Sequence, residues 1–158
     1  MIYLLPLLLL AADNGMKDLV NKTKTAALST MYKEYPYTSL VPYTVDKNGR
    51  PIIFISDLAM HTKNLKKNEK CSLMATKING KDVFNSARIT FIGKMNKVPD
   101  KEVEKVNKIY LEKYPDSKEL LEMEDFAFYR MEIDQVNYIG GFGDINWYNK
   151  TQYIELWK

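Results

Sequence analysis

The run Ile52-Ile53-Phe54-Ile55 is the feature that most constrains how this chain can fold. Four consecutive apolar residues leave no polar face, so a strand built from them must be covered on both sides. Asp46-Lys47-Asn48-Gly49 precedes the run and is a strong hairpin signal. Ser56-Asp57 ends it. Upstream, Ser39-Leu40-Val41-Pro42-Tyr43-Thr44-Val45 is apolar and β-branched, so the spacing predicts two strands joined by a tight turn. After the run, His61-Thr62-Lys63-Asn64-Leu65-Lys66-Lys67 reads as a short helix with hydroxyl or amide side chains and a cation near its start. Free N–H groups and a partial positive charge at such a start would stabilise a phosphate.

The remaining pattern is that of a mainly β chain with helices. Strands are predicted over residues 25–30, 38–45, 51–56, 71–77, 87–98 and 126–139, and a helix over 14–22, with a second turn at Asn79-Gly80. In the fifth strand Ile89, Phe91 and Met95 alternate with Arg88, Thr90 and Lys94, as in a half-buried strand. Tyr129, Met131 and Ile133 alternate with Arg130, Glu132 and Asp134 in the same way. Between those strands Pro99-Asp100 opens a helix whose Val103, Val106, Tyr110 and Tyr114 form one stripe before Pro115 stops it. Asp116 and Glu119 are spaced as a capping box for one more turn. Short strands, close connections and an amphipathic helix fit an antiparallel barrel with helices packed outside, in one domain over residues 14–158.

Composition narrows the function classes. With 158 residues, 46% of them hydrophobic, the chain can bury one real core. A net charge of +3, with lysines and glutamates interleaved through residues 101–118, argues for a solvated face and against nucleic acid. Cys71 is the single cysteine, so no intrachain disulfide or four-cysteine zinc site can form; it is expected to pack as a small core residue. His61 is the single histidine, which excludes a multi-histidine metal site, and neither a Ser-His-Asp set nor a paired-carboxylate site is argued by the pattern. Residues 4–12 form an apolar run too short to span a bilayer as a helix. It reads as a cleaved signal, as an apolar segment packed on the barrel, or as untranslated sequence before a start at Met16. No Lys or Arg precedes it, and Leu10-Ala11-Ala12 only approximates a cleavage site. A signal at residues 1–12 implies export; without one the chain is expected to be cytoplasmic. Asn21-Lys22-Thr23 and Asn149-Lys150-Thr151 are glycosylation sequons, which matter only in a eukaryotic secretory pathway.

Several segments occur together in a familiar order: Thr25-Ala26-Ala27-Leu28-Ser29-Thr30, the stretch Tyr35 to Leu65, Asn68-Glu69-Lys70-Cys71-Ser72-Leu73-Met74 and Ala87-Arg88-Ile89-Thr90-Phe91-Ile92-Gly93. They resemble the first strand, the central motif, the "NP-x-A-S-L" strand and the "RLTLxG" strand of the FMN-binding split-barrel proteins related to pyridoxamine 5'-phosphate oxidase. Asp125-Phe126-Ala127-Phe128-Tyr129-Arg130 and Gly140-Gly141-Phe142-Gly143 are most similar to the HugZ-type branch, named for its haem-degrading members.

The resemblance implies a six-stranded antiparallel split barrel with peripheral helices, a homodimer, and FMN bound between subunits for a redox reaction on a small molecule. It sets Thr62 and Lys63 on the FMN phosphate, Ser39, Val41 and Tyr43 along the flavin ring, and Ser56 near the ribityl chain or phosphate. Arg88 faces the cofactor or pairs with an acidic neighbour. His61 bonds a phosphate, donates a proton or is structural, and as a haem ligand it would stand in for an axial histidine that HugZ-type enzymes take from a C-terminal region this chain lacks. Phe142 and Trp147 are expected at the flavin or dimer contact. A haem-binding or haem-degrading protein is an alternative, and so is a non-enzymatic, CREG-like secreted binding protein, although the CREG inserted loop and paired cysteines are not visible.

Overall fold

The computed structural model describes residues 5–78 and 80–158, with side chains from residue 14 onward. Helix α1 (Leu5–Lys22) leads into β1 (Thr25–Tyr32), β2 (Tyr35–Val45) and β3 (Pro51–Ser56), followed by α2 (Met60–Lys67), β4 (Lys70–Thr76) and β5 (Arg88–Lys97). Helix α3 (Asp100–Lys113) then crosses to β6 (Phe126–Gly141), β7 (Asp144–Asn149) and α4 (Lys150–Glu155). The strands run in the order β3-β2-β1-β4-β5-β6-β7, and β3 also pairs with β6, so six antiparallel strands close a barrel and β7 extends one side.

The uninterrupted apolar run does what its composition requires. Ile53 and Ile55 face the barrel interior with Leu28, Tyr43, Leu73, Phe91, Met131 and Ile133, where α1 supplies Met16, Leu19 and Val20 and α4 supplies Tyr153. Ile52 and Phe54 face the other way, into a second core with Val106 and Tyr110 of α3 and Phe128 of β6. Phe54 is the centre of that cluster, with ring centroids 4.5 Å from Phe128, 5.2 Å from Phe126 and 5.9 Å from Tyr110. Burial of each such side chain contributes about 1.5–3 kcal/mol. The predicted α3 stripe is the packed one: Val106 and Tyr110 are buried, with Val103 and Tyr114 against them.

The β2–β3 hairpin is locked by Asp46, whose carboxylate accepts the N–H groups of Asn48 at 2.9 Å and Arg50 at 3.1 Å and pairs with the Arg50 guanidinium at 2.8 Å. Gly49 has φ 72°, and a Cβ there would fall 2.2 Å from the Trp157 ring, so only glycine serves. Cys71 is partly buried against the main core, which pushes its thiol up to about 12 and keeps it protonated near neutral pH.

One expectation needs correction. Asp116 caps nothing: residues Pro115–Ser117 and Leu120–Glu122 are separate 3-10 turns with no side-chain cap. The real capping box is at Asn149, whose side chain accepts the Gln152 N–H while Gln152 accepts the Asn149 N–H, both at 2.9 Å. It opens α4, which together with β7 was not expected. The turn expected at Asn79-Gly80 is half visible: Gly80 has φ 57°, and Asn79 lies outside the described residues.

Candidate functional site

The best-organised polar cluster outside the cores lies where β3 ends and α2 begins. Ser56 donates its hydroxyl to Asp125 Oδ2 at 2.5 Å and accepts the Leu58 N–H at 3.0 Å. Asp57 N–H donates to the Asp125 carbonyl at 2.7 Å, which ties the loop to the start of β6. Thr62, fully buried, donates its hydroxyl to the Ser56 carbonyl at 2.6 Å. Asn64 is also buried and donates to Thr30 Oγ1 at 3.0 Å, so α2 is held against β1 by polar contacts as well as by Leu65. His61 Nδ1 lies 3.0 Å from Ser39 Oγ on β2. Burial lowers the imidazole pKa, so His61 is neutral near pH 7 and its proton placement is governed by the Ser39 contact.

The sequence-predicted site residues fall in three places. Ser39, Ser56, His61, Thr62 and Lys63 gather around the α2 start. Of these, the Ser56 and Thr62 hydroxyls are already committed to partners within the chain, and the Asp125 carboxylate beside Ser56 repels an anion. Lys63 is exposed and free to reach a ligand. Val41 and Tyr43 do not line an open surface: both are buried in the barrel, and the Tyr43 hydroxyl donates to the Val20 carbonyl at 3.0 Å. The backbone of Tyr43 is engaged too, its N–H donating to the Tyr114 hydroxyl at 3.1 Å. Over residues 39–43 the odd-numbered side chains of β2 turn inward, so a contact of Val41 or Tyr43 with a flavin ring would have to come from backbone groups.

Arg88 and Trp147 form the third place, on the outer face of the sheet. Arg88 donates to the Ser86 carbonyl at 3.2 Å, and no carboxylate pairs with it among the described residues. Trp147 is 58% exposed on β7. Strand register sets it in a row with Asn137, Thr90, Met74, Ala27 and Leu40, one residue from each of six adjacent strands. Leu40 is 73% and Met74 39% exposed, so this face offers apolar groups that no helix covers among the described residues. Sequence reasoning missed Leu40, Met74 and Asp125 as members of the site region. The outward phase of β2 was the one available signal for Leu40.

Comparison with known proteins agrees with this architecture. Over 129 residues the chain is 34% identical to the "Non-canonical heme oxygenase HOZ, chloroplastic" of Arabidopsis thaliana, covering 80% of this chain and 39% of that protein. It thus spans about two-fifths of the curated relative. The structure of a heme binding protein from Mycobacterium smegmatis superposes with a TM-score of 0.83 at 23% identity, covering 91% of this chain and 60% of that one. A putative pyridoxamine 5'-phosphate oxidase from Listeria innocua does so with a TM-score of 0.65 at 12% identity, covering 82% and 98%. At these identities the two structures establish the split-barrel fold alone. The family model described as "CREG, beta-barrel" matches residues 11–155, and the chain therefore belongs to the CREG beta-barrel family.

Proposed function

We propose that this barrel binds haem and takes part in its redox chemistry or breakdown. The observation that carries the reading is the 34% identity, over most of this chain, to a protein named as a heme oxygenase. The donor chemistry of the α2 start is compatible with it. His61 is the only imidazole in the sequence, it is held neutral by burial, and its Nδ1 is engaged by Ser39. A neutral imidazole with one nitrogen hydrogen-bonded is suited to ligate a metal through the other. Haem would supply the electron and oxygen chemistry, while Ser39 would orient the ring of His61 and Lys63 would offer a cation to a propionate. Titration of the purified protein with haemin tests this. A Soret band that shifts in His61→Ala is expected; no saturable haem binding by the wild type would overturn the reading, and binding unchanged in the variant would remove His61 from it.

A second reading, FMN as cofactor of an oxidoreductase, is favoured by the barrel shared with the pyridoxamine 5'-phosphate oxidase-like structure. The residues fit it less well, since the Ser56 and Thr62 hydroxyls are spent and Lys63 is the remaining side-chain anchor for a phosphate. Lys63→Ala should weaken FMN about tenfold to a hundredfold, from loss of a charge-assisted hydrogen bond of about 1.5–3 kcal/mol, and leave riboflavin unchanged. Equal losses for both would remove the anchor. Binding of neither haem nor FMN by the wild type would favour a non-enzymatic, CREG-like role.

In either case we propose a homodimer that closes over the bare sheet face bearing Leu40, Met74 and Trp147, checked by light scattering. Export is proposed as well: a cut after Ala12 would leave the buried Met16, Leu19 and Val20 in place. The N-terminal sequence of the protein isolated from its own cells checks that.

A further inference from the structure

We infer that the cleft between the C-terminal end of α2 and the end of β5 is a binding site for a small organic molecule carrying two or more phosphate or carboxylate groups. The cleft has a volume of about 550 Å³ and lies at the opposite end of α2 from His61. Its lining includes Lys66, Lys67, Lys70 and Lys97 against the single acid Glu69, four positive charges less one negative, or +3. Lys66 is neutralised by Asp57 at 2.9 Å, and Glu69 is taken by Lys94 at 3.1 Å. Lys67, Lys70 and Lys97 have no carboxylate partner among the described residues.

Strand register fixes where these charges stand. Lys70 of β4 lies directly opposite Lys94 of β5, and because Glu69 already takes the charge of Lys94, Lys70 keeps its own ammonium free at the cleft rim. Lys97 lies opposite Tyr129, which lines the same cleft. Burial raises the Tyr129 pKa, so its hydroxyl stays protonated as a donor. Lysines on flexible stems act as movable point charges, suited to anions of more than one shape. The volume matches that of small-molecule sites, roughly 300–1,000 Å³.

Calorimetric titration with inorganic pyrophosphate and with citrate tests the site and separates phosphate from carboxylate ligands. The variant Lys67→Ala/Lys70→Ala/Lys97→Ala should bind the preferred probe about tenfold or more weakly, with the wild-type affinity falling as salt is raised. The control Lys101→Ala/Lys105→Ala/Lys108→Ala, on the exposed side of α3, should stay within about twofold, since its charges act only through screened solvent. All six lysines are exposed, so both variants should fold with an unchanged melting temperature. Absence of binding of either probe to the wild type, or equal losses in the two triple variants, would overturn the proposal.

Discussion

The two flanks of this barrel are built from the same kind of strand and finished in opposite ways. On the β3 flank, Ile52 and Phe54 point away from the barrel and are sealed by α3, with Tyr110 and Phe128 completing a second core. On the flank made by β2, β1, β4, β5, β6 and β7, the outward row from Leu40 to Trp147 carries no helix among the described residues, and its largest members stay exposed. An outward apolar residue is therefore core on one side and surface on the other. What separates them is the path of the connection between β5 and β6, which carries α3 over β3 and the adjoining end of β2 and not over the row from Leu40 to Trp147. It is on the bare side that the proposed second copy would dock.

The largest expected effect sits on the sealed flank. Phe54→Ala should cost about 3–5 kcal/mol, read by urea denaturation, because it removes the ring that three aromatic neighbours pack against. A cost below about 1 kcal/mol would mean that the second core collapses to refill the space, and the contrast between flanks would weaken. On the bare flank, Leu40→Ser/Trp147→Ser should change the stability of the isolated subunit by no more than about 0.5 kcal/mol per site. The same variant should weaken self-association at least about tenfold, or ~1.4 kcal/mol, measured by sedimentation. If association is untouched, the second copy docks elsewhere; if subunit stability collapses, the face is core after all.

The smallest effect lies at the junction of the two regions. Lys113, at the end of α3, donates to the Val20 carbonyl at 3.2 Å and sits 4.5 Å from the Tyr43 ring centroid. Burial, with Lys24 nearby, lowers its pKa from 10.5 to about 8. The unfolded chain then binds more protons than the folded one between those values, so this group makes stability rise with pH from about 8. The rise should end near pH 10, where unfolded tyrosines ionise while Tyr43, Tyr110 and Tyr153 stay protonated by burial. Lys113→Met should flatten that slope in melting curves taken across the range. An unchanged slope would mean that the amine is hydrated and joins the two regions without strain.

Much of the fold was legible because local rules and tertiary structure agree. The predicted limits of β3 coincide with the observed Pro51–Ser56, since a continuous apolar run between a hairpin turn and Ser56-Asp57 has one reading. The strand β7, Asp-Ile-Asn-Trp-Tyr-Asn, escaped because its exposed face mixes apolar and polar groups and no deep core disciplines the pattern. The site was less legible. A hydroxyl at a helix start looks the same whether it awaits a phosphate or, like Thr62, is buried against a carbonyl. The resemblance sets Val41 and Tyr43 along a flavin ring, while the phase of β2 turns their side chains into the core, and sequence alone does not tell a backbone contact from a side-chain one.

From sequence alone one can derive an antiparallel β domain with outer helices, a strand covered twice, and a polar, basic segment after it, because periodicity and turn chemistry are local properties of the chain. Tertiary structure decided the rest: closure of the barrel by the β3–β6 pairing, the choice of which flank α3 covers, the meeting of Ser39 with His61, and the gathering of Lys66, Lys67, Lys70 and Lys97 around one cleft. These juxtapositions join residues up to 78 positions apart, as between Ile52 and Arg130. Pairing at that range is set by the packing free energy of the whole barrel, which no local window of sequence contains.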